Sequence, residues 1–433
     1  MNMCVIKPSM FGEQTKDALP PLLFAILKPL TPSDVTLTFL DENIEHIPND
    51  VSYDVVAISI DTFTARRGYI LAERFRKRGI PVILGGIHAT LCADEIEAGK
   101  YADSVIIGEA EDTWGAVIND LRTGMLNPRY ISMNNTALCK VQYDYSIFQG
   151  KKYNPIWVVQ FSRGCKFSCD FCSIHALHGN TLRTRPASAV AATIRELPRK
   201  LILFADDNLF SDPMKIDELL TELKPLRLNW VCQISLDAAR DFDLLCRLRK
   251  SGCRMVIIGF ESLNADSLRQ MNKSANLAAD YEKAIANIHR AGLMLYGAFV
   301  IGYDTDTSQT ALELAAFAKK HRFAIANFNP LIPTPGTKLY ERLESEGRLL
   351  YDQWWNTPDY RYGDTVFQPK GMTPGQLAES CRRARYAFYS FRGIISRLRG
   401  VNIKGLFNIG TFLLSNIISG ASIRQKQGRR LGE

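Results

Sequence analysis

Short apolar runs alternate with helical stretches along most of the chain, and this alternation limits the fold more than any other feature. The run "DVVAISI", for example, is of buried-strand type and is followed by the helical stretch "ARRGYILAERFRKRG". Strands that alternate with helices at this spacing predict parallel sheets with helices on both faces. We therefore predict an α/β protein.

The alternation falls into two series that are separated by an irregular connector. We predict a Rossmann-like parallel sheet over residues 1–125, a connector over 126–153, and a second series over 154–345. Six strand–helix units in the second series predict a partial or complete TIM-like (β/α) barrel, whose active site would lie at the C-terminal rim. Residues 346–433 are predicted to be a helical extension with a basic tail.

Composition limits the compartment and the partners. Hydrophobic content of 46% and charged content of 23% are typical of a soluble globular protein. The first residues show no export signal, so we expect a cytoplasmic protein whose cysteines are free thiols or metal ligands. The net charge of +8 is concentrated between Ser380 and Gly432, which hold eleven Lys or Arg and no Asp or Glu. The rest of the chain is slightly negative, so no nucleic-acid partner is expected.

Polar residues follow the predicted strands, where parallel sheets place their ligands. In the first series these are the segments "GGIHAT" and "GEAE". In the second series they are Cys165, Asp206, Asp207, Ser235, Glu261 and Asp304.

Three cysteines crowd into one loop, at Cys165, Cys169 and Cys172. With His175 they could form a structural Cys₃His zinc site. Alternatively they hold a [4Fe–4S] cluster, which normally takes four thiolates. Three thiolates would leave one iron open to a small molecule.

The pattern CxxxCxΦC, with its aromatic at Phe171, resembles the signature of the radical S-adenosylmethionine (SAM) superfamily. The resemblance implies that the open iron binds SAM and that an electron donor such as a flavodoxin or ferredoxin reduces the cluster. By the same resemblance, Phe171, Asp206, Asp207, Ser235 and Glu261 are candidate SAM contacts. An acid after a strand is also often only a helix cap.

The segments "PVILGGIHAT", "ADSVIIGEAEDTW" and "PTPGTKLYERLESEGRL" resemble the cobalamin-binding branch of that superfamily, including the hopanoid methylases and the anaerobic magnesium-protoporphyrin ester cyclase group. The resemblance implies cobalamin contacts at Gly85, Gly86, Gly108 and Glu109. The cobalt-ligating motif DxHxxG is missing, and His88 stands in the wrong place for it. The alternative is therefore a vestigial sheet that no longer binds cobalamin.

The resemblance implies cobalamin-dependent C-methylation of an unactivated carbon in a small-molecule or lipid-like substrate. A non-methylating radical reaction, such as ring closure, uses the same motifs. The rival from another class is a zinc-stabilised RNA-binding protein, which the neutral body of the chain speaks against.

The tail holds an uncharged stretch over residues 405–423 between basic segments. Its polar residues recur at helical spacing and form one stripe: Asn408, Thr411, Ser415, Ser419 and Ser422. Three interpretations stay open: a helix that packs on the barrel, an in-plane contact with the inner face of the membrane, and a membrane span.

Overall fold

The computed structural model describes residues 1–133, 136–198, 200–277, 280–398 and 406–433. Its N-terminal sheet has six parallel strands in the order β2-β1-β3-β4-β5-β6. The strands are β1 (Asn2–Lys7), β2 (Thr36–Asp41), β3 (Val55–Ser59), β4 (Val82–Gly85), β5 (Ser104–Ile107) and β6 (Arg129–Ile131). The helices around it are α1 (Leu22–Leu30), α2 (Ala65–Arg76), α3 (Ile87–Leu91), α4 (Ala93–Ala98) and α5 (Ala110–Thr123).

Both faces of this sheet are buried. Successive side chains of a strand point to opposite faces, and those of β1 enter hydrophobic clusters on both. In β1, Cys4 and Ile6 enter one hydrophobic cluster, whereas Met3 and Val5 enter another. The predicted Rossmann-like sheet is confirmed. The sequence did not reveal the two strands β1 and β6, and β6 lies in the segment that we expected to be a connector.

The second sheet has six parallel strands in the order β14-β13-β12-β11-β10-β7, and a short antiparallel pair, β8 and β9, lies beside it. The strands are β7 (Trp157–Val159), β8 (Ser162–Arg163), β9 (Arg183–Thr184), β10 (Leu201–Phe204), β11 (Asn229–Ile234), β12 (Cys253–Glu261), β13 (Met294–Ile301) and β14 (Ile325–Pro330). The helices are α6 (Ser173–His178), α7 (Ala187–Glu196), α8 (Pro213–Leu223), α9 (Phe242–Lys250), α10 (Ala265–Gln270), α11 (Ser274–Leu277), α12 (Tyr281–Arg290), α13 (Thr310–Lys320) and α14 (Lys338–Ser345). Single 3₁₀ turns lie at Leu138–Lys140, Tyr145–Phe148, Lys224–Leu226 and Ala238–Arg240.

This sheet is a partial barrel. Its edge strands β7 and β14 do not pair with each other in the described part of the chain. Of the two barrel forms that the sequence allowed, the structure therefore has the open one.

The C-terminal helices cover the open edge at β14. They are α15 (Pro374–Phe388), α16 (Phe391–Leu398) and α17 (Leu406–Lys426). Arg385 Nε donates to the Phe328 carbonyl (2.8 Å), Tyr389 Oη donates to the Ala326 carbonyl (3.0 Å), and Arg397 Nη1 donates to the Ala324 carbonyl (2.9 Å). An uncovered strand edge is prone to aggregation. These side chains therefore cap backbone groups that no further strand pairs.

Helix α17 turns part of its polar side inward. Asn416 is 1% exposed and donates to the Ala324 carbonyl, with the fully buried Phe412 beside it. Leu414 and Ile417 lie on the outer side, 59% and 63% exposed. Among the described residues, no helix has the length and apolarity to cross a membrane. The hydrogen bond from Asn416 to the Ala324 carbonyl shows that this helix packs on the barrel.

The end of the chain returns to its beginning. Lys426 pairs with Asp17 (3.1 Å), and Arg429 pairs with Glu13 (2.9 Å). The segment before α15 also packs on the N-terminal sheet through buried aromatic side chains, namely Trp354, Trp355 and Tyr360. The C-terminal region therefore contacts both sheets.

Candidate functional site

The three cysteines lie together at the C-terminal end of the second sheet. Cys165, Cys169 and Cys172 line one cavity of about 410 Å³, which we call the cysteine cavity. Gly164, just before the loop, has φ +92°, and a Cβ there would lie 1.9 Å from the Thr181 carbonyl oxygen. Only glycine therefore allows the chain to turn this tightly into the loop.

The thiols fit an iron–sulfur cluster better than the zinc alternative. Burial raises the pKa of the Cys169 thiol to about 11 and also raises that of Cys172, so thiolates there need a strongly positive partner. The fourth zinc ligand would be His175, but this residue does not line the cavity, and its Nδ1 lies 3.2 Å from the Gly179 carbonyl oxygen. Three thiols that line one cavity match a cluster with an open iron.

All five predicted SAM contacts line the same cavity, namely Phe171, Asp206, Asp207, Ser235 and Glu261. Asp304 lies elsewhere and pairs with Arg348 (3.0 Å) and Lys370 (2.9 Å). The shared strand edge brings together residues that are almost 100 positions apart in the sequence.

Both carboxylate oxygens of Asp206 accept hydrogen bonds from the protein. One oxygen accepts from the Phe161 backbone N–H (3.1 Å), and the other accepts from the backbone N–H and the hydroxyl of Ser162 (2.6 Å from Oγ). Burial raises the pKa of this carboxyl to about 7. Asp206 therefore holds the strand that leads into the cysteine loop. The neighbouring Asp207 accepts from the Gly164 N–H (2.9 Å) and is only half-buried.

Asn208 and Ser235 form a reciprocal pair in the cavity wall. The Asn208 amide donates to Ser235 Oγ (3.1 Å) and accepts from the Ser235 backbone N–H (3.1 Å). The same amide nitrogen lies 3.9 Å from Cys165 Sγ. Sequence reasoning missed Asn208, although it directly follows the two predicted acids.

Glu261 ends β12 in the left-handed region, with φ +60°. Its Oε1 pairs with Lys273 Nζ at 3.0 Å, and both side chains are largely buried. Burial alone would lower the pKa of Lys273, but the Glu261 carboxylate keeps the pKa above its ordinary value. A Cβ at Gly259 would lie 2.1 Å from Glu261 Oε1, so this glycine makes room for the carboxylate. Sequence reasoning missed Lys273, which lies on a loop without a recognisable motif.

A second cavity, of about 310 Å³, lies at the C-terminal edge of the N-terminal sheet, and we call it the glycine cavity. It is lined by the predicted cobalamin contacts Gly85, Gly86, Gly108 and Glu109, and by apolar side chains such as Leu27, Ile83 and Trp114. Asp207 and Ile174 line both this cavity and the cysteine cavity. The two cavities therefore adjoin.

Gly85 and Gly86 are required for different structural reasons. Gly86 has φ +95°, and a Cβ there would lie 2.6 Å from the Ile60 carbonyl oxygen, so the backbone itself requires it. A Cβ at Gly85 would meet only Ile106, at an ordinary 3.6 Å. A side chain at Gly85 would fill the cavity instead, which fits a site that a large cofactor approaches closely.

Glu109 joins the N-terminal sheet to the β8–β9 pair. It pairs with Arg183 (2.5 Å) on β9 and with Arg163 (3.2 Å) on β8, and Arg163 also pairs with Glu111 (2.5 Å). Burial would raise the pKa of Glu109, but the two arginines lower it to about 2. The side chain predicted to contact cobalamin is therefore bound to the strands beside the cysteine loop. Arg163 precedes "GC" in the sequence, but no local sequence pattern predicts that it pairs with Glu109 and Glu111.

A third cavity, of about 290 Å³, begins on the other side of Phe171, and we call it the aromatic cavity. Phe63, Tyr360 and Tyr362 line it together with Arg385, which is 6% exposed. No carboxylate pairs with Arg385 in the described part of the chain. This cavity combines aromatic walls with one cation.

Two family models match the chain in the regions of the two sheets. Residues 159–318 match the Radical SAM superfamily, and residues 31–118 match the B12 binding domain. The first range contains the residues named above for the cysteine cavity, and the second contains the glycines of the glycine cavity.

Curated relatives and solved structures agree with these matches. The chain is 30% identical over 393 residues to the bacteriochlorophyllide d C-12(1)-methyltransferase of Chlorobaculum tepidum. This alignment covers 88% of this chain and 85% of that protein. It is 24% identical to the hopanoid C-2 methylase of Rhodopseudomonas palustris, over 77% of this chain and 66% of that protein. The fold is similar to that of the radical SAM methyltransferase TsrM from Kitasatospora setae, solved with cobalamin and a [4Fe–4S] cluster bound (TM-score 0.64, 14% identity, 90% and 86% covered).

Proposed function

Because this chain belongs to the radical SAM enzymes that carry a B12-binding domain, we propose that it methylates an unactivated carbon of a hydrophobic or lipid-like substrate. The cofactors of the family are a [4Fe–4S] cluster, SAM and cobalamin, which together supply a carbon-centred radical and a methyl group. The observation that carries the proposal is the junction of the cysteine and glycine cavities at Asp207.

The residues of the chain divide the work among the cavities. Cys165, Cys169 and Cys172 would hold the cluster. Asp207, the Asn208–Ser235 pair and the Glu261–Lys273 pair present acceptors and a cation of the kinds that the amino, carboxylate and ribose groups of SAM require. The bare backbone at Gly85 and Gly108 would receive cobalamin, and Glu109 would keep the two cofactor sites adjacent through its arginines.

The aromatic cavity supports a hydrophobic substrate. It shares Phe171 with the cysteine cavity, so a substrate there would lie next to the cluster loop. The unpaired cation of Arg385 favours a substrate that also carries an acidic group, because a buried charge is costly without a partner. An electron donor such as a flavodoxin or ferredoxin would reduce the cluster.

The test uses the full chain, reconstituted anaerobically with iron, sulfide, cobalamin and SAM that carries a CD₃ group. The substrates offered are a bacteriochlorophyllide and a hopanoid, the classes named for the two relatives. Methylation gives 5′-deoxyadenosine and a product that carries the CD₃ label, measured by mass spectrometry. A labelled product would confirm methyl transfer, whereas an unlabelled ring-closed product would favour the cyclase alternative.

We also propose that α17 contacts the inner face of the membrane. Its outer side exposes the apolar residues Leu413, Leu414, Ile417 and Ile418. The neighbouring α15 and α16 carry exposed arginines, including Arg383 and Arg392. An exposed apolar face beside cations is typical of a helix that lies on an anionic lipid surface.

A further inference from the structure

A cluster of possible metal ligands lies in the N-terminal sheet, outside all three cavities described above. It consists of His88 on α3, Cys92 between α3 and α4, and Glu95 on α4. One ring nitrogen of His88, Cys92 Sγ and a carboxylate oxygen of Glu95 all lie within 4.8 Å of one another. None of the three residues lines the cysteine, glycine or aromatic cavity.

His88 has a buried ring nitrogen without a partner. The side chain is 0% exposed, its Nε2 lies 3.1 Å from Tyr69 Oη, and its Nδ1 has no hydrogen-bond partner among the residues that the structure describes. Tyr69 Oη in turn donates to Glu95 Oε1 at 2.9 Å. The Tyr69 proton is thereby used, so the neutral His88 ring donates from Nε2 and leaves a bare lone pair on Nδ1. An unsatisfied buried acceptor is costly unless something binds it.

The donor set matches one class of ligand. A thiolate, an imidazole and a carboxylate are the three side chains that zinc accepts in four-coordinate sites. The turn between α3 and α4 brings them together: the Cys92 N–H donates to the His88 carbonyl (2.9 Å) at the end of α3, and the Cys92 carbonyl accepts from the Ile96 N–H (3.1 Å) at the start of α4. Cys92 and Glu95 also line a cavity of about 540 Å³, through which an ion and a water ligand can enter.

Hydrogen bonds around the cluster orient its ligands. Glu95 Oε1 accepts from Tyr69 Oη and from Trp355 Nε1 (3.1 Å). Metal-binding histidines and carboxylates generally have such outer partners, which fix the orientation of the ring and the carboxylate.

We propose that His88, Cys92 and Glu95 bind one zinc ion, with a water as the fourth ligand. Binding replaces the Cys92 thiol proton, which passes to solvent, and it gives each of the three side chains a bond to the metal. The ion would fix the turn between α3 and α4. Helix α3 directly follows Gly85 and Gly86 of the glycine cavity. The proposal does not depend on which reaction the enzyme catalyses.

The test measures metal in the reconstituted full chain, in which iron already occupies the three loop cysteines. Elemental analysis after equilibration with Zn²⁺ and desalting should find one zinc per chain in addition to the cluster iron. Cys92→Ser, a nearly isosteric change, should lose the zinc and keep the iron and the cobalamin. Tyr69→Phe removes only an outer partner and should weaken zinc binding by about 10- to 100-fold.

Cys381→Ser is the matched control, since Cys381 is also buried but belongs to no cluster of possible metal ligands among the described residues, and this variant should bind zinc like the wild type. If Cys92→Ser proves unstable, Co²⁺ added to cobalamin-free wild type gives a second measurement. A thiolate-to-cobalt absorption band that Glu95→Gln weakens would support the site. A wild type that binds no zinc, or a Cys92→Ser variant that binds it unchanged, would overturn the proposal.

Discussion

The cysteine cavity and the glycine cavity lie side by side but are lined by different types of residue. The cysteine cavity is lined by thiols and by paired polar groups such as Glu261–Lys273 and Asn208–Ser235. The glycine cavity is lined mostly by bare backbone and apolar side chains, with its charged groups tied to each other. We therefore expect the first site to recognise its ligand through polar and charged groups and the second to recognise its ligand through shape. Substitutions should remove a functional group in the first and fill space in the second.

The largest effect should come from the cysteine loop. Replacing Cys165, Cys169 and Cys172 together with Ala should remove all cluster iron and abolish cleavage of SAM, because no thiolate remains to hold iron. Cobalamin should stay bound, since the glycine cavity is intact. Iron analysis and the corrin absorbance measure the two sites separately. Cluster iron that survived the triple change would contradict the site.

The opposite pattern is expected at Gly85. Gly85→Phe should weaken cobalamin binding by about 100-fold or more, because an inserted ring fills the cavity and overpacking costs several kcal/mol. The iron content should stay at the wild-type level. Gly115→Phe is the control, since that glycine lies exposed on α5 with open space around it. Equal cobalamin affinity in the Gly85 variant and the wild type would mean that the cofactor does not enter here.

The paired charges of the cysteine cavity provide a third test. Lys273→Met should weaken SAM binding by about 10- to 100-fold and lower the free energy of unfolding by about 2–3 kcal/mol, because Glu261 loses its partner. Adding Glu261→Gln should restore stability but not SAM binding. The exposed Lys215→Met, which breaks a surface pair, should change stability by less than about 0.5 kcal/mol. Unchanged SAM affinity would assign the pair a purely structural role.

The link between the cavities should respond to pH. The folded pKa of Glu109 is about 2, against an ordinary 4.5, so its stabilising contribution is present above pH 4.5 and is lost as the pH falls towards 2. Solvent screening reduces that contribution to about 1–2 kcal/mol. The free energy of unfolding of the iron-free chain should therefore fall more steeply with acid than that of Glu109→Gln. Parallel curves for the two proteins would exclude this role.

The smallest effect is expected outside both cavities, on α17. Leu414→Ser with Ile417→Ser should reduce sedimentation with anionic liposomes by at least about tenfold, since the loss of only two buried CH₂ groups, at about 0.8 kcal/mol each, already gives that factor. Truncation is a poor test, because α15, α16 and α17 cap the edge of β14. Met214→Ser on α8, where the side chain is 79% exposed, is the control. Liposome binding that does not change would limit this helix to packing.

The difference between the cavities also explains how much the sequence could predict. The cysteine loop is a local pattern, and parallel-sheet topology predicts the place of Asp206, Asp207 and Glu261, although not that of Asp304. The assignment of these residues to SAM came from the resemblance to the radical SAM superfamily. Lys273, Arg163 and Arg183 act through partners at a distance along the chain, and nothing beside them in the sequence names those partners. The role of Asp206 was also beyond reach, because its residue type suits a ligand contact as well as a bond to a neighbouring strand.

The strand β6 was missed because it gives a weak sequence signal. β6 is only three residues long at a sheet edge and has one buried side chain, so it has little apolar pattern to detect. The orientation of the tail helix was ambiguous, because a helical wheel shows that one side is polar and the other apolar but not which side faces the protein. Only the unpaired edge of β14 decides that Asn416 faces inward.

The return of the chain end to residues 10–17 has a consequence for how the enzyme is made. The pairs Lys426–Asp17 and Arg429–Glu13 join positions more than 400 residues apart, so they cannot form until the last helix has left the ribosome. At about 5–20 residues per second, the first strands wait roughly half a minute or longer for these contacts. During that interval the N-terminal sheet is synthesised but not yet fastened at this corner.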